Sequence, residues 1–114
     1  MALTDGLNMG IESESELITK AKHTSEMSLS DIQKVFKEDF SDEIHDSNKY
    51  CDMAKAAEEA GNLGLAKGLH AMAYDEYTHA KFIHENLVDW GCEIPEKEMM
   101  AWQQLKERVA RSFR

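Results

Sequence analysis

Proline occurs once and glycine six times in the 114 residues, which leaves too little turn punctuation for a fold of many short strands. Cysteine occurs only at Cys51 and Cys92, too far apart for the CxxC spacing of a zinc ribbon or a rubredoxin-type iron centre. Both are expected to be free thiols that serve as packing residues. No stretch approaches the roughly 20 apolar residues of a membrane span, and Met1–Gly10 has neither a basic nor an apolar leader segment. A cytoplasmic protein without a membrane partner is the expectation. Basic charge is scarce as well: the net charge is −9, and Lys and Arg gather only at Lys106, Arg108, Arg111 and Arg114. Phosphate backbones need a concentrated basic face, so nucleic acid is excluded as a partner.

What is present is helical periodicity. After a polar, weakly patterned segment over residues 1–27, in which a short helix across Glu14 to His23 can be drawn, Ser28, Ser30 and Asp31 signal a helix start. Gln33, three residues after Ser30, completes a capping-box pattern. From there Ile32, Phe36, Phe40, Glu43, Ser47, Tyr50, Ala54 and Ala57 recur by threes and fours, the spacing of one helix face. Ala60-Gly61-Asn62 ends the run. A second stripe, Ala66, Leu69, Ala73, Glu76, Ala80, Ile83, Leu87 and Trp90, stops at Gly91. Pro95 then opens a shorter helix with Glu96 and Glu98 in its first turn and Met99, Trp102, Leu105 and Val109 along one side. The chain therefore reads as all-α: a long antiparallel helical hairpin over 28–91 and a short C-terminal helix within 92–114.

Each long stripe contains one residue foreign to an apolar seam, Glu43 in the first and Glu76 in the second. A carboxylate on a core face is costly without a partner, and a cation is one such partner. The midpoint between the two positions falls at the Ala60-Gly61 turn. With a rise of about 1.5 Å per residue both carboxylates then stand at one height, about 25 Å from the turn. His79, three residues beyond Glu76, is about 60° round the same helix and reaches the same point. Mixed oxygen and nitrogen donors favour iron, manganese or zinc over calcium or magnesium. The competing account is a metal-free helical interaction module, in which the two carboxylates set register by pairing with basic groups of a partner.

The stretch Glu43-Ile44-His45-Asp46-Ser47-Asn48-Lys49-Tyr50, with Ala54-Lys55, Glu59-Ala60-Gly61, Ala66 and Glu76-Tyr77-Thr78-His79-Ala80, resembles the rubrerythrin branch of the ferritin-like superfamily. The resemblance spans Ser30 to Trp90. It implies a di-iron site taking one Glu from each of two helices and a Glu-x-x-His from each of two others. The sequence holds a single Glu-x-x-His, so a monomer would lack half the ligands. Two copies related by a two-fold axis would supply both sets, as in the short chains of encapsulated ferritins, and dimerisation would build a ferritin-like four-helix bundle with two iron ions per dimer, manganese or zinc being substitutes. A larger homo-oligomer is equally compatible.

By position, the resemblance implies that Glu76 bridges the metals and that Glu43 and His79 are terminal or shared ligands. Asp46 matches a place where the family carries an additional carboxylate, here one methylene shorter. Tyr50, two turns beyond Glu43, is the candidate to orient a ligand carboxylate through its hydroxyl. His23, His45, His70 and His84 read as surface residues. The implied activity is that of an oxidoreductase, in which Fe(II) reacts with peroxide or dioxygen; a ferroxidase serving iron storage is the alternative. The Cys-x-x-Cys pairs of full rubrerythrins are missing, so peroxidase turnover would need an external electron donor. No encapsulin-docking tail is recognised after Phe113.

Overall fold

The computed structural model describes residues 26–112. The helix drawn across Glu14 to His23 and the surface position of His23 lie outside the described residues, as does all of 1–27 except its last two positions. Among the described residues there are three helices, α1 (Leu29–Glu59), α2 (Leu63–Asp89) and α3 (Glu96–Ser112), and no strand. The all-α class is thus observed. None of the helices is long and apolar enough to cross a membrane.

Contacts divide the chain into two compact units, Met1–Ile32 and Gln33–Arg114. In the first, the start of α1 is closed by a reciprocal pair: Asp31 N–H donates to Ser28 Oγ at 3.1 Å, and Ser28 N–H donates to Asp31 Oδ2 at 3.0 Å. The capping box is therefore Ser28 with Asp31, not Ser30 with Gln33. The two patterns overlap in the sequence, and a helix that begins at Leu29 leaves Ser28 as the residue outside it.

In the second unit α1 ends at a tight connection in which Gly61, with φ +78°, takes the left-handed conformation that a side chain would strain. Asn62 then caps α2 by accepting the Leu65 N–H at 3.2 Å. Gly91, with φ +71°, makes the corresponding stop after α2. Pro95 precedes α3 and its carbonyl accepts the Glu98 and Met99 amides. Its own missing N–H is harmless there.

Two apolar clusters result. Near the hairpin turn Ala54, Ala57, Ala66 and Leu69 pack with Tyr50 at their edge. Farther along, Phe40 and Ile44 of α1, Ala80, Ile83 and Leu87 of α2, and Trp102, Leu105 and Val109 of α3 form the larger core. Phe40, Leu87 and Leu105 are fully buried, each stabilising the fold by roughly 1.5–3 kcal/mol. Arg108 reinforces the α3 to α1 contact: its guanidinium donates to Asn48 Oδ1 at 2.9 Å and pairs with Asp52. The free thiols behave as packing groups, Cys51 buried and Cys92 against the larger core; burial pushes the Cys51 thiol up.

The third helix explains a correction. His84 is half-buried, its ring 5.7 Å from that of Phe40 and 5.5 Å from that of Trp102. Burial, and then the nearby Lys106, hold its imidazole below the ordinary range. His70 is also half-buried, with Nε2 3.3 Å from Glu58 Oε2; of the other two described as surface residues, His45 is exposed. One apolar stripe per helix describes a hairpin, whereas α3 creates a second covered face on each of its neighbours.

Candidate metal centre

Glu43 lies on the α1 face that also carries the buried Phe40 and Ser47, and Glu76 lies on the α2 face with the buried Ala73 and Ala80. Antiparallel pairing around the Gly61 turn brings the two carboxylates to the same level. His79 follows one turn along α2, its Nδ1 3.2 Å from Glu76 Oε1 and 3.4 Å from Glu43 Oε2. Donor atoms of all three residues lie within 4.8 Å of one another, and among the described residues no other such group of His, Cys, Asp or Glu is found.

The electrostatics of the cluster are those of a site short of positive charge. Burial pushes the Glu43 carboxyl above its ordinary value and the neighbouring Glu76 pushes it further, while His79 opposes them. Glu43 Oε2 is buried without a hydrogen-bond partner; the 3.4 Å approach of His79 is an ion-pair contact and not an aligned hydrogen bond. An orphaned carboxylate oxygen, a second carboxylate and an imidazole converging on one point fit a cation with mixed oxygen and nitrogen preference. The exposure is uneven. The side chains of Glu43 and Glu76 are 23% and 22% exposed, whereas that of His79 is 59% exposed, so the cluster opens outward on the histidine side.

Residues 34–100, more than half of the chain, match the family described as Rubrerythrin. The chain belongs to the rubrerythrin family. Rubrerythrins are di-iron carboxylate proteins and generally bind iron, and the matched span includes α2 entirely and every donor of the cluster. No curated protein and no solved structure matches the chain.

The two other residues singled out in the sequence make contacts of their own. The Asp46 carboxylate lies 3.7 Å from Lys49 Nζ and is not in the cluster. Tyr50 is at the edge of the Ala54–Leu69 cluster, with the Lys49 ammonium 5.0 Å from its ring centroid. One residue beside the centre was overlooked as a polar group: Ser47, fully buried, donates its hydroxyl to the Ala73 carbonyl across the helix pair at 2.7 Å. The signal was available, since a serine in a seam of alanines has to place its hydroxyl somewhere.

Proposed function

We propose that two copies of this chain pair over the face bearing Glu43, Glu76 and His79 and together hold two iron ions in a four-helix bundle with a rubrerythrin-like redox role. The observation that carries the reading is the three-donor cluster with an unpartnered, buried Glu43 oxygen and an outward-facing histidine. Two carboxylates and one imidazole are half of the family's ligand set.

The surroundings of His79 support a second copy as the cover. Leu65 and Met72 precede it at heptad spacing on α2 and Phe82 follows three residues later, exposed to 52%, 44% and 58% respectively. A helix stripe that alternates exposed apolar side chains with a ligand is suited to packing against its own copy, where the apolar groups are covered and the donors meet.

Within that pair the family's ligand set would make Glu76 the shared carboxylate. Glu43 and His79 would be terminal or shared donors. Iron held there supplies the Fe(II) that reduces peroxide or dioxygen. The chain's part is to present two carboxylates whose repulsion the metals relieve, to hold the His79 ring by the Glu76 contact, and to keep the partly buried carboxylates away from bulk water.

Anaerobic protein loaded with Fe(II) and mixed with peroxide or with air-saturated buffer tests the reading. Fast oxidation by peroxide, slow oxidation by air and recovery on adding a reductant support it. Fast aerobic oxidation of many ions per dimer makes the protein a ferroxidase with iron as substrate, and a chain that takes up no metal makes it a helical interaction module.

A further inference from the structure

Ser47 is wholly inaccessible and donates its hydroxyl to the Ala73 carbonyl at 2.7 Å, from α1 to α2. In a regular helix that carbonyl already accepts the amide four residues on, so the serine is not rescuing an unpaired backbone group. The bond does something else. Ser47 stands one turn after Glu43, and Ala73 stands one turn before Glu76. The 47 to 73 pair is thus the rung of the hairpin directly below the one that bears the two carboxylates.

Ala54, Ala66, Ala73 and Ala80, buried to 3% exposure or less, line the seam near this rung, with larger buried side chains on either side, Phe40 in the cluster of Ala80 and Leu69 in that of Ala54 and Ala66. Small residues let two helices approach closely. A slide of about 1 Å between them would not leave a metal site intact, because ligand bond lengths tolerate only about ±0.2 Å. A directional hydrogen bond at this rung adds a fixed register to the packing.

We infer that Ser47 is a positioning residue, whose hydroxyl fixes the level of α1 against α2 so that Glu43 and Glu76 meet at one height. The inference rests on the proposed metal-binding role of those carboxylates. Ser47 touches neither metal nor substrate and acts through the helix pair.

Anaerobic titration with cobalt(II), whose ligand-field bands report donor geometry, tests this on wild type, Ser47→Ala and Ser47→Thr. Thr keeps the donor and Ala removes it while staying small enough for the seam. Circular dichroism and the thermal midpoint of each metal-free chain are recorded alongside. The expected result is that Ser47→Ala stays helical, binds cobalt about tenfold more weakly and shows an altered band, and that Ser47→Thr restores both. If Ser47→Ala lowers only the thermal midpoint and leaves affinity and band as in wild type, the hydroxyl is a packing bond and the inference is overturned. Should Ser47→Ala fail to fold, Ser47→Cys, of similar volume but a weaker donor, takes its place with the same two outcomes. A wild-type chain that takes up no cobalt overturns the metal reading itself, a result distinguished by appearing before any substitution is made, and Ser47 then has no ligands to level.

Discussion

His79 Nδ1 lies 3.4 Å from Glu43 Oε2, a contact that crosses from α2 to α1 and joins residues 36 positions apart in the chain. The same nitrogen lies 3.2 Å from Glu76 Oε1. One imidazole nitrogen between two carboxylates is a donor set suited to a transition metal, and the removal of each donor has a distinct signature.

Replacing Glu76 and His79 together by Ala removes the carboxylate proposed to bridge and the imidazole. The expected outcome is loss of transition-metal uptake, from one ion per chain to none, with helical content retained. Elemental analysis of the purified variant, with circular dichroism, checks both halves.

Glu43→Gln separates the stability of the fold from the stability of the site. The Glu43 carboxyl is raised mainly by burial and then by Glu76, so the metal-free fold holds its proton at a higher pH than the unfolded chain does. Stability contributed by that proton is present at low pH and is lost as pH rises through the folded value. Gln carries no such penalty. The metal-free variant should melt above the wild type at neutral pH, and adding metal should stabilise the wild type but not the variant.

His84 gives the opposite sign. Its folded value is lowered, first by burial and then by Lys106, so the unfolded chain takes up a proton before the fold does. Stability therefore falls as pH drops below the unfolded value of about 6.5 and levels off beneath the folded one. In His84→Phe, whose ring can keep the contacts with the Phe40 and Trp102 rings, this part of the pH dependence of urea unfolding should vanish.

Leu105→Ala probes the third helix. Leu105 is fully buried in the larger core, and its truncation should cost about 2–5 kcal/mol in denaturant unfolding. Below the denaturation transition, metal stoichiometry should not change, since all three donors belong to α1 and α2.

The hairpin and its three donors were legible in the sequence because each rests on periodicity within a single helix. Glu43 and Glu76 announce themselves by occupying apolar positions, and the Gly61 turn sets their common level. The face toward α3 was not legible. Ile44 and Cys51 are buried beside the seam that the spacing of threes and fours picks out, and His84 follows the same logic on α2. Nothing in one helix says on which side a third will pack. Arg108 stands out in the sequence only as one of the basic residues gathered near the C-terminus, whereas its fork reaches Asn48 and Asp52, an arrangement that requires knowing the α1 to α3 register. Ser47 was counted as a small seam residue, correctly placed but with its hydroxyl unassigned.

The central claim is that each chain carries half of a two-metal site, and absolute molar mass combined with metal quantification on natively purified protein tests it most directly. The account predicts a dimer, or a multiple of one, with one transition-metal ion per chain, and dissociation of that dimer when a chelator strips the metal. A monomer that keeps two ions, or an assembly unchanged in mass and free of metal, would contradict it.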